Sequence, residues 1–478
     1  MTARAAPPAG IARAPGRTGS RPDTRNGARP GAQSGTQSGT QSGRGRRMAV
    51  RLMVISLLIP ISFEIAGFRF TPALLTLFAL FPIMFVNFFS GRAGRMGLID
   101  ALFFFYVFWT AITILENNPN RFVAYTGTQG LNILGGYLVG RVMIRDRDDF
   151  SAFIRAVFWA VAFSLPFALY ESLFDVPLIL RFVEDYTPFA TFNENMYPPR
   201  MGFFRAQFVF VHPIHYGMFC SLAFATVFVG LHEQLRTFLR WAASGVVSFC
   251  CFLAVSSGPF LSMLVQAGIF GMYRAASRFS PRPWRLLSGC FLGIYTVLEL
   301  ASNNSAFVAV SSRLAFNPAT AYYRTLIWQY GTEQVMRTPI LGNGYNYWPR
   351  PFWMTTSVDN MWLLIAMVHG LPALIAFSAA ILVLLYRINR RDFSANADLD
   401  YLRLGWTLSM LGFMITASTV AIWGEIQIFF MILFGAGYWM VSAPATPHEA
   451  APAEESPAPE RVLRYTRFPR PEPGRRAS

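Results

Sequence analysis

Apolar runs of membrane-spanning length constrain this chain more than any other feature. Between two polar tails lie about twelve runs, each near the ~20 residues that a helix needs to cross a bilayer. Because the bilayer offers no hydrogen-bond partners to the backbone, each run is predicted to be a helix. The sequence thus predicts an all-α, polytopic integral membrane protein. The approximate spans are 51–67, 70–90, 98–116, 122–140, 151–173, 207–231, 238–256, 257–276, 284–301, 358–385, 401–421 and 424–442.

The basic residues indicate membrane topology rather than a nucleic-acid-binding surface. The net charge is +16, with ten arginines in the first 51 residues and six in the last 18. Most of the others lie in short loops between apolar runs. If the N-terminus is cytoplasmic, the short loops obey the positive-inside rule and the C-terminus is cytoplasmic too. We therefore expect no nucleic-acid partner.

Polar tails flank the predicted membrane domain, which covers residues 48–442. Residues 1–47 contain GTQS repeats, and residues 443–478 are rich in proline. Such segments cannot bury a core, so both are predicted to be disordered cytoplasmic tails whose arginines contact anionic membrane lipid. The four cysteines lie inside apolar runs, and the five histidines show no zinc-ligand spacing, so we expect no metal or cofactor.

Two predicted external loops, at about 174–206 and 302–357, are much longer than the others. Long loops often carry function. These two also carry basic residues, which the positive-inside rule disfavours on the outer face. The outer face is therefore predicted to use positive charge. The arginines are Arg181, Arg200, Arg205, Arg313, Arg324, Arg337 and Arg350.

The second long loop contains a segment typical of an amphipathic helix at the outer interface. In AYYRTLIWQYGTEQVMRTP the apolar residues recur at helical spacing, and the proline marks the end. Arg324 and Trp328 share a face, so the indole can stack on the guanidinium. Either Arg324 snorkels from an anchoring helix, or it binds an anion, since the planar guanidinium suits phosphate.

A glycine turn, aromatic residues and a carboxylate follow that segment. The turn in LGNGYNYW either leads the chain onward or offers backbone N–H groups to an anion. Tyr345 suits either the membrane interface or the face of a sugar. Asp359 is predicted in the first turn of the next helix, where it either caps the helix or faces the arginines. His369 is predicted about 15 Å deeper, too far to reach the same site.

The first long loop ends in RMGFFRAQFVFVHPIHYG. Arg200 and Arg205 precede a helix near its outer end. His212 and His215 share a face of that helix, where they serve either as polar contacts between helices or as ligands.

Together these stretches resemble the O-antigen ligase and Wzy-type polysaccharide polymerase superfamily. The resemblance lies in YRTLIWQYGTEQVMRTPILGNGYNYW, in SVDNMWLLIAMVHGLPALIAF, in RAQFVFVHPIHYG and in SSGPFL. It implies a GT-C-like fold of about twelve transmembrane helices, with a large periplasmic loop that carries the amphipathic helix. It also implies a metal-independent glycosyltransferase of the bacterial inner membrane, with an undecaprenyl-diphosphate-linked oligosaccharide as donor.

The resemblance assigns diphosphate binding to Arg205 and Arg324, and it gives Asp359 the position at which the ligases have a histidine. That departure favours a polymerase that works beside a flippase and a chain-length regulator. A ligase that transfers glycan to a lipid or protein acceptor stays open, as does a transporter. We predict Asp359 and Arg324 as catalytic residues. The predicted diphosphate- and glycan-binding residues are Arg200, Arg205, Arg313, Arg337, His212, His215, Trp328 and Tyr345.

Overall fold

Helices make up most of the chain in a computed structural model that describes residues 34–65, 68–191, 197–280, 282–301 and 318–444. The helices are α1 (Ser34–Ser56), α2 (Pro72–Phe89), α3 (Leu98–Asn117), α4 (Phe122–Gly130), α5 (Gly136–Leu138), α6 (Arg147–Phe174), α7 (Leu178–Tyr186), α8 (Pro213–Ala225), α9 (Thr237–Leu253), α10 (Ser257–Phe279), α11 (Pro283–Ala301), α12 (Pro318–Arg337), α13 (Met361–Asn389), α14 (Ala397–Ala417) and α15 (Glu425–Ala436). Single turns of 3₁₀-helix cover Pro119–Arg121 and Tyr438–Val441.

Five of the described helical segments are long and apolar enough to cross a membrane. They are Pro72–Phe89, Leu98–Asn117, Arg147–Phe174, Pro213–Gly230 and Met361–Asn389. Two shorter apolar segments, Thr237–Leu253 and Glu425–Val441, accompany them. The chain is therefore a mostly helical membrane protein, as predicted, while twelve separate spans stay a prediction.

The first predicted span, 51–67, is not one helix. α1 ends at Ser56, and strands β1 (Phe63–Ile65) and β2 (Phe68–Phe70) then pair antiparallel, with Phe63 opposite Phe70. Pro60 lacks the N–H that a continuing helix needs. α1 also begins at Ser34, inside the segment that the sequence predicts to be a disordered tail.

The run predicted as one helix at 122–140 is interrupted twice. π-helical turns cover Leu131–Gly135 and Val139–Met143 and leave α5 as a single turn between them. Glycine allows the broken helix to approach α15 closely, because a Cβ on Gly140 would meet the Ile432 carbonyl. Each π-turn changes the helical register and redirects the side chains that follow.

The hydrophobic core surrounds α8, which is almost wholly buried between α6, α9, α10 and α14. A second, smaller core forms where α12 packs on α13, with Ile327, Val335, Leu363 and Met367 in contact. α12 has no side chain at Gly331, and a Cβ there would meet Leu363. This second core fixes α12, and with it Arg324, against the first turns of α13.

Candidate functional site

Glu171, at the end of α6, holds the segment that carries Arg205. Its two carboxylate oxygens accept the backbone N–H groups of Gln207 at 2.8 Å and of Phe208 at 2.9 Å. Phe208 has a φ of 56°, a conformation unusual for a bulky residue. Ser172 adds two bonds to Phe204, through its backbone carbonyl and its hydroxyl. The end of α6 thus fixes this segment on both sides of Arg205.

The Arg205 side chain is buried, and some of its N–H groups make no hydrogen bond within the described part of the chain. Within the described part of the chain, its Nε and Nη2 atoms are buried and have no hydrogen-bond partner. Its guanidinium lies 5.1 Å from the ring centre of Tyr197. Burial, followed by the charge of Arg200, lowers the pKa of Arg205 to about 10. The side chain therefore stays charged at neutral pH, and its free N–H groups can bind an anion.

His212 and His215 extend this group along the start of α8. His212 is the N-cap of the helix, and its Nδ1 atom accepts the Ile214 N–H at 2.9 Å. Burial, then the charges of His215, Arg205 and Arg200, lower the pKa of His212 to about 3. Its imidazole is therefore neutral at physiological pH. The centres of the His212 and His215 rings are 6.1 Å apart.

Arg324 approaches from α12. Its Nη2 atom donates to the Thr419 carbonyl at 3.4 Å, and its Nε atom is buried and unpartnered among the described residues. Burial lowers the pKa of Arg324, Asp359 opposes that shift, and Arg200 adds to it. Arg324 is therefore within electrostatic reach of both Asp359 and the Arg200 turn.

Asp359 is predicted in the first turn of α13. It instead precedes the helix, which begins at Met361 with Asn360 as its N-cap. The N-cap is Asn360, whose side chain accepts the Leu363 N–H at 3.0 Å. The half-buried Asp359 carboxylate accepts the Ser357 hydroxyl at 2.8 Å. Because Asn360 performs the capping, the Asp359 carboxylate is available for another role.

We call Arg200, Arg205 and Arg324 the arginine cluster. The electrostatic influence of Arg200 on both of the others links residues from the two predicted external loops. With Asp359 included, three guanidinium groups and one carboxylate leave two net positive charges. That charge and the free N–H groups suit a phosphate or diphosphate, because guanidinium binds phosphate through paired hydrogen bonds.

Three other residues of the second long loop are predicted to bind the diphosphate or the glycan. Arg337 is the exposed last residue of α12, about 20 Å along the helix axis from Arg324, so we do not place it in the arginine cluster. Trp328 lies one turn after Arg324 on the same helix and is 36% exposed. Arg313 lies outside the described residues.

The glycine turn of LGNGYNYW performs a structural task rather than offering N–H groups to an anion. α13 breaks at Gly370, where φ is 78°. Asn343 donates its backbone N–H to the Met367 carbonyl at 2.7 Å, and Gly344 donates to Val368 at 3.1 Å. In the opposite direction, the Leu371 backbone N–H of α13 donates to the Pro339 carbonyl at 2.8 Å. The turn thus replaces the helical hydrogen bonds that the break removes.

Tyr345 and His369 belong to that structural region. The Tyr345 ring lies 5.7 Å from that of Tyr125. His369 Nδ1 bonds the Thr113 hydroxyl at 2.7 Å, and its Nε2 bonds the Tyr125 hydroxyl at 3.0 Å. We call Thr113, Tyr125 and His369 the histidine group. Both ring nitrogens are used, so His369 has no atom left for a ligand.

Sequence reasoning did not assign a site role to Glu171, Tyr197 or Thr419. For Glu171 a signal existed, because a carboxylate inside an apolar run is costly unless it has partners. Thr419 contributes a backbone carbonyl, and its residue type carries no information about that.

One comparison bears on identity. Residues 242–378 match the O-antigen ligase family (Wzy_C). The predicted resemblance to the O-antigen ligase and Wzy-type superfamily is thereby confirmed. None of the curated proteins compared matches the chain. The Wzy_C region includes Arg324 and Asp359, while Arg200, Arg205 and His212 precede it.

The family match supports a function of the O-antigen ligase or polymerase type. Members of this family are glycosyltransferase-like enzymes. In the present chain, the Wzy_C region contributes Arg324 to the arginine cluster from α12, and α12 packs against the start of α13.

Proposed function

We propose that this protein is a polysaccharide polymerase of the bacterial inner membrane. It transfers glycan from undecaprenyl diphosphate to a sugar hydroxyl of another lipid-linked repeat unit at the periplasmic face, in exopolysaccharide or O-antigen synthesis. A flippase would supply the repeat units and a chain-length regulator would limit the product. Both termini would lie in the cytoplasm.

The observation that carries this proposal is the set of buried guanidinium N–H groups without partners in Arg205 and Arg324. A buried donor left unsatisfied costs about 1–3 kcal/mol, and more when it is charged. The fold therefore maintains these donors at a cost to stability. A diphosphate supplies both the negative charge and the acceptor oxygens that would satisfy them.

The chemistry follows from the charge that develops as the glycosidic bond breaks. The acceptor hydroxyl attacks the anomeric carbon, the bond to the diphosphate oxygen breaks, and the diphosphate leaves with an added negative charge. Arg205 and Arg324 would stabilise that charge from fixed positions, which is the main source of catalysis in such sites. Asp359 would accept the hydroxyl proton or orient the hydroxyl for attack. Because arginines supply the positive charge, we propose that no metal is required.

A reconstituted polymerisation assay tests the proposal. Purified protein in lipid nanodiscs is incubated with lipid-linked repeat units in EDTA, and the glycan products are sized. We expect a ladder of longer glycans and free undecaprenyl diphosphate. Wild-type protein that releases no diphosphate and lengthens no glycan, with or without divalent metal, would contradict the proposal.

A ligase is the second candidate, because the family that matches is described as O-antigen ligase. The same assay separates the two functions when a lipid or protein acceptor is added. Polymerase activity yields a ladder of lipid-linked products without that acceptor. Ligase activity yields glycan attached to the acceptor and no ladder in its absence.

A further inference from the structure

A separate cavity of about 290 Å³ lies beside the histidines of α8. Its walls come from β2, the start of α2, α4 with the π-helical turn that follows it, the segment before α8 and the turn that leads into α15. Leu74, Val211 and Ile428 supply apolar surface. The polar and aromatic lining residues include Arg69, Gln129, Asn132, Trp423 and Glu425. Its volume is near the lower end of that of small-molecule sites, about 300–1,000 Å³.

The broken helix contributes two polar side chains to this wall. Among the described residues, Gln129 Oε1 and Asn132 Oδ1 are buried and have no hydrogen-bond partner. Asn132 is 6% exposed and lies in the π-helical turn Leu131–Gly135, a type of irregularity that is frequent at functional sites. Both free atoms are acceptors, so the matching ligand donates hydrogen bonds, as hydroxyl groups do.

Trp423 supplies a flat apolar surface. Its side chain is 41% exposed, and Gly424 makes the following turn with a φ of 64°. The Trp423 and His215 rings also pack edge to face, with the ring centres 4.3 Å apart. His215 in turn neighbours His212, whose pKa responds to the charge of Arg205. The cavity therefore adjoins the site of the arginine cluster, with Trp423 and the two histidines between them.

Arg69 and Glu425 add charged groups to the lining. The charges of these two residues interact, and Glu425 is 8% exposed. An acyl or prenyl chain in this cavity would leave both carboxamide acceptors unpaired and would bury the charged groups against hydrocarbon. A sugar has apolar C–H faces for Trp423 and hydroxyl groups for the polar atoms.

We propose that this cavity binds one saccharide unit of the acceptor glycan. The role as an acceptor site rests on the proposed glycosyl transfer, whereas saccharide binding itself follows from the cavity. The His212–His215–Trp423 wall would then separate the acceptor sugar from the diphosphate of the donor. The attacking hydroxyl would reach past that wall toward the arginine cluster.

Saturation-transfer NMR on protein in lipid nanodiscs tests saccharide binding directly, without sugar-headed detergents. The probes are glucose, galactose, N-acetylglucosamine and glucuronic acid, each added alone. We expect saturation transfer to at least one of them in the wild-type protein. Asn132→Leu keeps the side-chain size and removes the acceptor, and should weaken that binding at least tenfold. Trp423→Ala should do the same.

Two controls define the outcome. Trp159→Ala removes an exposed tryptophan on α6, and Trp241→Ala removes an exposed tryptophan on α9, so both should keep the wild-type signal. The cavity proposal is overturned if no probe binds the wild-type protein, or if Asn132→Leu and Trp423→Ala bind it as the wild type does. Sugar binding by a wild-type protein that never lengthens glycan would contradict the polymerase instead and leave the cavity assignment intact.

Discussion

The arginine cluster and the histidine group are both buried polar regions near α13, and they differ in how far their hydrogen bonds are satisfied. In the histidine group, both nitrogens of His369 have partners, and the nearby glycine turn occupies the carbonyls at the helix break. In the arginine cluster, Arg205 and Arg324 keep buried N–H groups without partners among the described residues. A satisfied network stabilises the fold, whereas unsatisfied charged donors are available to bind an anion.

The same difference in hydrogen bonding distinguishes two predicted anion sites that lie close together in the sequence. Arg324 and the glycine turn lie within 20 residues of each other, and both are predicted as possible anion sites. The structure agrees with that interpretation for Arg324, whose Nε atom is buried without a partner among the described residues. For Asn343 and Gly344 it does not, because their N–H groups are bonded to Met367 and Val368.

Loss of an arginine in the cluster should have the largest effect. We expect Arg205→Gln or Arg324→Ala to lower the rate of glycan transfer about 1,000-fold, because removing one preorganised donor costs about 10²–10³ in rate. Arg337→Ala, a change on the exposed end of α12, is the matched control and should keep near-wild-type activity. Polymer of normal length from a correctly inserted Arg324→Ala protein would contradict the assignment.

Asp359→Asn should have the next largest effect. We expect kcat to fall about 100-fold, at the low end of the range for a general base, because a diphosphate is a good leaving group. Donor affinity should change much less than kcat. Ser357→Ala removes only the hydroxyl bonded to Asp359 and serves as the control. Full turnover in Asp359→Asn would remove the proposed role of the carboxylate.

Gly342→Ala tests the structural side of the comparison. Gly342 has a φ of 67°, and a Cβ there would meet the Val368 carbonyl. We expect a loss of about 2 kcal/mol of stability, from the left-handed conformation and the close contact together. The midpoint temperature of unfolding should fall by several degrees, while donor affinity per folded molecule stays unchanged. Gly268→Ala, in open space on α10, should not lower that temperature.

Several of these features were predictable from the sequence because they are local. The bounds of α2, α3, α10 and α12 follow from apolar length, prolines and helix spacing. The length and the arginines of the two long loops predict that these loops carry function. By contrast, the partners of the glycine turn and of the Glu171 carboxylate depend on contacts between distant segments. No local pattern shows that Gly344 meets Val368 or that Arg324 meets the Thr419 carbonyl.

Proton binding by His212 should give the smallest effect. Because the pKa of His212 is lowered to about 3 in the folded protein, the unfolded chain binds the proton more strongly between about pH 6.5 and 3. His212 therefore contributes stability that is present above pH 6.5 and is lost as the pH falls through that window. His212→Asn preserves an N-cap residue and should flatten the fall in midpoint temperature between pH 7 and 4. An unchanged slope would contradict the assigned environment.

The most direct test of the central claim is the affinity of the protein for undecaprenyl diphosphate, measured by native mass spectrometry in nanodiscs against undecaprenol as the uncharged reference. If the arginine cluster binds the diphosphate, the wild-type protein and Arg337→Gln should prefer the diphosphate, and Arg205→Gln should weaken its binding at least tenfold. Equal affinity of the wild type and Arg205→Gln for undecaprenyl diphosphate would contradict the account.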